Sequence, residues 1–332
     1  MRIAVLGAGR IGIAHLSTLA AAPDVDELIV ADPDGERSAS AARAVGATSM
    51  SIDEALANSP DGIVITAPTP AHPDLIRAGI AAGIPVFCEK PLAQDVTSSR
   101  TLVEDCERSE VPVQIGFQRR FDAGYRAARE ALSRGDLGEL RRVHLMTCDP
   151  APPPAEYIAS SGGIFRDCHV HDFDVLRWVT GSEVATVHAV GANRGADYFR
   201  DAHDVDESAA LLTMTDGTLV TLSGSRYNGA GYDVRMELAG TVATLLVGLD
   251  EQSPLRSAEA DVPFPTGAPH SDFQHRFATA YATELQEFVR VVRGEVANPC
   301  TPRDALSAQL IAEAAQTSQH EGRTVDMAEL NL

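Results

Sequence analysis

Through its first third the chain alternates short apolar runs with longer amphipathic stretches, the pattern that parallel strands joined by crossover helices require. The runs at residues 2–6, 27–31, 62–66, 85–88 and 113–116 are strand candidates, each bounded by Gly, Pro, Asp or Asn. Helices are expected to begin at residues 12, 36, 52, 73 and 97. The third opens with a capping box, because Ser51 is followed three residues later by Glu54. GIVIT and PVF are apolar on both faces, as central strands of a doubly wound sheet are. A first domain over residues 1–118 follows.

Beyond Phe117 the period changes. A helix is expected over 122–133, a strand over 141–147, a proline-rich loop over 150–154 and a helix over 164–179 that stops before Gly181. Residues 208–215 and 218–225 alternate in period two around Asp216-Gly217, which predicts a hairpin with a two-residue turn. A second hairpin is expected from 232–239 and 243–247, turning at Gly240. Two amphipathic helices, 273–293 and 304–320, close the chain. Successive hairpins predict a mostly antiparallel sheet, so residues 119–332 read as an α+β domain after an α/β one.

Composition narrows the partners. The 332 residues are enough for two separate cores. A formal charge of −20, spread along the chain, repels phosphate backbones and anionic bilayers, so neither nucleic acid nor a membrane surface is an expected partner. Five cysteines without CxxC spacing speak against a disulfide framework and a cysteine zinc module. No secretory pattern and no run of about 18 apolar residues is visible, and a cytoplasmic setting is expected.

Gly7-Ala8-Gly9-Arg10-Ile11-Gly12 fits GxGxxG, follows the first strand and opens a helix. Gly7 allows the tight turn, Gly9 a close approach of a pyrophosphate, and Gly12 the packing of helix on strand. Arg10 and Ile11 complete this expected cofactor turn, whose Rossmann fingerprint is extended by Asp32, 20 residues after Gly12. Its carboxylate suits ribose hydroxyls and repels a 2′-phosphate, so NAD is favoured over NADP. Arg37 reads as a solvated charge. Thr66 and Pro68, at the end of the third strand, are expected along the same crevice, as are Glu89 and Lys90 at the end of the fourth.

Lys90 can polarise a hydroxyl oxygen and stabilise a developing alkoxide, and Pro91 directs the backbone behind it. Asp167 and His171 are spaced i, i+4 in the expected helix and would share one face, the carboxylate orienting an imidazole that acts as general base. His169 and Asp172 point elsewhere around that helix. No second ligand cluster with metal spacing accompanies them, so no metal is expected.

Together GAGRIG, TAPTPAH (66–72), EKP (89–91), GFQRRFD (116–122), the DxxxHD helix, GYD and AYATELQEF resemble the glucose-fructose oxidoreductase/inositol dehydrogenase (Gfo/Idh/MocA) family across nearly the whole chain. The resemblance implies a Rossmann domain followed by an open sheet whose exposed face builds homodimers or homotetramers. It also implies that Lys90, Asp167 and His171 serve hydride transfer at a secondary carbinol. Within the family, GFQRRFD, GYD and AYATELQEF are most like inositol 2-dehydrogenases, which implies Arg120, Tyr232 and Tyr281 as substrate contacts beside Lys90, Asp167 and His171. The substrate is then a cyclic polyol or sugar. Two other activities stay open: a non-catalytic dinucleotide-sensing protein of the same fold, and an NAD-dependent glycosidase that yields no net NADH.

Overall fold

The computed structural model describes residues 1–262 and 267–330, and the chain divides into two compact units. The first comprises Met1–Gln118 and Thr279–Leu306. Its strands are β1 (Arg2–Leu6), β2 (Glu27–Ala31), β3 (Thr48–Met50), β4 (Gly62–Ile65), β5 (Val86–Glu89) and β6 (Val113–Gly116). All pair in parallel, in the order β3-β2-β1-β4-β5-β6, which reverses direction between β1 and β4 as a doubly wound dinucleotide fold does. Helices α1 (Arg10–Ala20), α2 (Gly35–Val45), α3 (Ile52–Ala57), α4 (His72–Ala81) and α5 (Val96–Glu107) alternate with them. The expected capping box at Ser51 is present on α3.

The expectation of an unbroken second domain over 119–332 is corrected here. Leu285, Phe288 and Val289 of the helix Ala278–Val292 pack into the first unit's core with Ile3, Val5, Val64 and Phe87. Just beyond that helix, Asn298 Nδ2 donates to the Val113 carbonyl (2.6 Å) and the Ile115 N–H to the Cys300 carbonyl (2.9 Å). An amphipathic helix is placed by whichever sheet its apolar stripe covers, not by its rank in the sequence.

The second unit comprises Arg119–Ala278 and Ser307–Leu332. Its sheet contains β7 (Leu140–Cys148), β8 (Val184–Ala192), β9 (Glu207–Met214), β10 (Leu219–Ser225), β11 (Asp233–Gly240), β12 (Thr244–Val247) and β13 (Val325–Asp326) in the order β12-β11-β7-β10-β9-β8-β13. Only β7 and β10 run parallel. Helices α6 (Ala123–Ser133), α7 (Ala155–Ser161), α8 (Ile164–Asp167), α9 (Val170–Thr180) and α10 (Tyr198–Asp201) belong to this unit. Period-two alternation buries Val143, Leu145, Leu212, Leu222 and Met236 on one face. On the other, Val190, Leu211 and Leu219 stand 54%, 58% and 61% exposed.

Two local expectations change. The β9–β10 turn has three residues rather than two: Met214 N–H donates to the Thr218 carbonyl (2.9 Å), and Gly217 takes φ +86°. A left-handed glycine closing a three-residue loop keeps the strands in twist register. The expected helix over 164–179 is broken into α8 and α9, with Cys168 and His169 between them. There the His169 N–H bonds to the Ile164 carbonyl (3.1 Å) and the His171 N–H to the Cys168 carbonyl (3.3 Å), neither of them an α-helical i to i−4 pairing. Asp167 and His171 therefore do not share a face of one continuous helix.

Candidate active site

In the first unit the glycine turn is built by exclusion. A Cβ on Gly7, at φ +111°, would fall 2.7 Å from the Ala67 nitrogen, and one on Gly12 would fall 2.2 Å from the Gly7 carbonyl oxygen. Thr66 Oγ1 donates to that same oxygen (2.7 Å) and ties the end of β4 to the turn. Gly9 is different, since nothing lies within 4 Å of its would-be Cβ. It stands at the N-terminus of α1, which has neither a side-chain cap nor an acidic residue in its first turn. Open backbone, orphan N–H groups and the positive end of the helix dipole are what a pyrophosphate needs. Arg10 is exposed and Ile11 half-buried in that first turn.

Asp32 follows β2. Its Oδ2 accepts the Ala8 N–H (2.8 Å) and its Oδ1 the Asp34 N–H (2.9 Å), so the carboxylate braces the glycine turn. Arg37, expected to be merely solvated, brings Nη1 to 3.6 Å from Asp32 Oδ1 and Nη2 to 3.3 Å from Asp34 Oδ2. These residues fit a dinucleotide: donors and space for phosphate at the turn, and an acidic group where a ribose would lie.

Lys90 directly follows β5, half-buried, and its peptide bond to Pro91 is cis. Two histidines that the sequence did not single out hold this corner. His15, buried on α1, places Nε2 2.7 Å from Glu89 Oε1. The Tyr281 ring lies 5.8 Å from the His15 ring, so this tyrosine sits in the first unit. His72, also buried, spans two loops, with Nδ1 2.8 Å from the Pro91 carbonyl and Nε2 2.9 Å from the Ala67 carbonyl. Pro68 is exposed, directly before the short turn Thr69–Ala71.

In the second unit Asp167 closes α8 and is gripped from two sides. Tyr157 of α7 donates its hydroxyl to Oδ1 (2.7 Å), and Arg226, just past β10, donates Nη2 to Oδ2 (2.8 Å). Arg226 is 2% exposed and also donates Nη1 to Asp149 Oδ2 (3.0 Å). Burial pushes the Asp149 carboxyl up, against the pull of Arg226. Burial, then the neighbouring Asp167, raises the Tyr157 hydroxyl, which stays protonated and can donate. His171 lies in the first turn of α9, half-buried.

Beneath these residues lies a buried chain of polar side chains. His169 has Nδ1 2.8 Å from Asp172 Oδ2 and Nε2 2.8 Å from Ser208 Oγ. Asp172 also accepts from Arg119 and from Thr147 Oγ1 (2.9 Å), and Arg119 Nη2 donates to Thr147 Oγ1 (3.1 Å). Alongside, Arg120 donates Nε and Nη2 to the two oxygens of Asp174 (2.8 and 2.6 Å). The guanidinium of Arg120, implied as a substrate contact, is buried and braces α9. Tyr232 is 6% exposed, and burial raises its hydroxyl.

The sequence matches the oxidoreductase family with an NAD-binding Rossmann fold over residues 1–117 and the GFO/IDH/MocA C-terminal domain over 125–246. It is 36% identical to a myo-inositol dehydrogenase of Streptomyces leeuwenhoekii, over 96% of this chain and 98% of that protein. Its fold is similar to that of a myo-inositol dehydrogenase from Corynebacterium glutamicum (TM-score 0.89, 36% identity, 98% of each chain). It is also similar to a scyllo-inositol dehydrogenase from Lactobacillus casei with bound NAD(H) and scyllo-inositol (TM-score 0.89, 27% identity, 99% of each chain).

Proposed function

The chain belongs to the GFO/IDH/MocA oxidoreductase family, with an NAD-binding Rossmann domain, and from that premise we propose that it oxidises a secondary ring hydroxyl of a cyclic polyol, an inositol foremost. The observation that carries the reading is the full-length likeness to inositol dehydrogenases. Gly7, Gly9, Arg10, Ile11 and Gly12 would hold the pyrophosphate of NAD and Asp32 its ribose. When bound, NAD supplies the acceptor for the hydride that leaves the carbinol carbon.

In this reading His171 takes the hydroxyl proton and Lys90 donates a hydrogen bond to the oxygen as negative charge builds on it. Asp167, fixed by Tyr157 and Arg226, takes a hydroxyl of the substrate and orients the reacting ring. Glu89, braced by His15, and the loop held by His72 set the direction of Lys90. The alcohol becomes a ketone and one proton is released. The test follows NADH formation at 340 nm with myo-inositol, scyllo-inositol and pyranose sugars for wild type, Lys90→Ala and His171→Ala. Each variant is expected to lose about 100-fold or more in kcat; full turnover by both on the best substrate overturns the assignment.

A homodimer or homotetramer and a cytoplasmic setting belong to the same reading. The sheet face that carries Val190, Leu211 and Leu219 supports self-association, because contiguous exposed apolar surface commonly marks an interface. No helix among the described residues is long and apolar enough to cross a membrane.

A further inference from the structure

Tyr157 presents an unusual combination. Its hydroxyl is committed to the Asp167 carboxylate (2.7 Å), yet the residue stands 45% exposed. A large aromatic surface left open directly beside a carboxylate contributes little to folding, since the hydrophobic effect favours covering it. The segment that carries it is nevertheless anchored. Ile158, the next residue, is 2% exposed and anchors α7 in the second unit. The preceding loop carries Pro150, Pro152, Pro153 and Pro154, which restrict its backbone. Tyr198 on α10 donates its hydroxyl to the Pro153 carbonyl (3.4 Å), and its own ring packs 4.8 Å from Phe199. Tyr227 also meets Phe199 edge-on (6.2 Å) and accepts the Ala196 N–H (3.1 Å).

We propose that Tyr157 is a specificity-determining residue: its hydroxyl, with the Arg226 guanidinium, fixes Asp167, and its exposed ring is the surface on which the C–H face of a cyclic polyol rests. The inference rests on the dehydrogenase reading above. A cyclohexane polyol with mainly equatorial hydroxyls presents axial C–H bonds on both faces and polar groups only around its rim. An aromatic ring covers such a face while a carboxylate at its edge takes a rim hydroxyl. An acyclic polyol has no flat face to offer, so the ring discriminates by shape. The two parts of Tyr157 then act separately. The hydroxyl holds Asp167 in one orientation from the side opposite Arg226, and the ring binds substrate.

The experiment compares wild type with Tyr157→Phe, which keeps the ring and loses the hydroxyl, and Tyr157→Ala, which loses both. Steady-state kinetics with NAD use myo-inositol, scyllo-inositol and the acyclic hexitol sorbitol. Melting shifts on adding NAD alone, then NAD with myo-inositol, report folding and binding independently of turnover. Tyr157→Phe is expected to hold KM for the inositols within about twofold while kcat falls about tenfold or more, the scale of a lost hydrogen bond to a charged group. Tyr157→Ala is expected to raise that KM about tenfold as well, to lose the inositol-dependent melting shift but keep the NAD-dependent one, and to narrow the preference for inositols over sorbitol. A wild-type KM and selectivity in Tyr157→Ala overturns the inference, as does an equal rise in KM in both variants or a wild-type kcat in Tyr157→Phe. Wild type inert toward every ring alcohol overturns the dehydrogenase reading and this inference with it, an outcome distinct from a failure confined to the variants.

Discussion

Burial opposes ionisation of Asp172, yet Arg119 and His169 more than offset it, and the carboxyl lies at about 2 instead of 3.8. A folded-state value below the unfolded one contributes stability that is present above about pH 4 and is lost as pH falls toward 2. Wild type should therefore lose on the order of 2 kcal/mol from this group across that window, read from urea midpoints at successive pH values. Asp172→Asn should flatten that part of the profile and cost about 3–5 kcal/mol at neutral pH, because Arg119 would keep a buried charge without its carboxylate. An unchanged neutral-pH midpoint for the variant would mean the network holds nothing. The sequence displayed the acid and imidazole residues of this helical region but not their assignments. Arg119 lies 53 residues from Asp172, and Arg226 lies 59 from Asp167, separations that no helical or strand period spans. His15 and His72 escaped for the same reason: each is defined by what it touches across the fold.

Elements were legible where a single physical rule decided them. The first two strands and the glycine turn could be read from apolar runs ending in residues that only a tight turn needs, and the capping box of α3 from the spacing of Ser51 and Glu54. β3 could not, being three residues long without a buried face, nor could β13, which has only two residues. β8 escaped as well, lying just beyond the glycine at which the preceding helix ends. The α8–α9 break was hidden because Cys168 and His169 are neither Gly nor Pro. In the glycine turn Gly12 and Gly9 predict different outcomes. Gly12→Ala drives a Cβ into the Gly7 carbonyl, and several degrees of melting temperature and cofactor binding should go together. Gly9→Ala meets no protein atom, so its melting curve should match wild type while the NADH dissociation constant, read by fluorescence titration, rises about tenfold or more. Wild-type affinity in Gly9→Ala would remove the pyrophosphate from this turn.

For the whole molecule the proposed self-association has to overcome a charge of −20 on each chain. The outer sheet face gives a physical answer, since cross-strand register lines up Glu237, His144, Thr221, Leu211 and His188 in one row with a single carboxylate among them. Leu219 and Val190 extend the apolar part. Repulsion between acidic subunits acts over the Debye length, roughly 30 Å at 0.01 M salt and about 8 Å at 0.15 M, whereas burial of Leu, Val and Thr is hardly screened. Association through this face should therefore strengthen as salt rises, the opposite of a contact made by ion pairs. Light scattering at about 0.02 M and 0.2 M salt checks the sign. Leu211→Glu with Leu219→Glu places two new charges on the face at little cost to the fold, because both side chains are already exposed. The double variant should lower the assembly mass at both salt concentrations and leave NADH affinity within about twofold, since both substitutions lie in the second unit and the glycine turn in the first. A wild-type monomer at high salt, or a double variant that assembles like wild type, would direct the search for an interface away from this sheet.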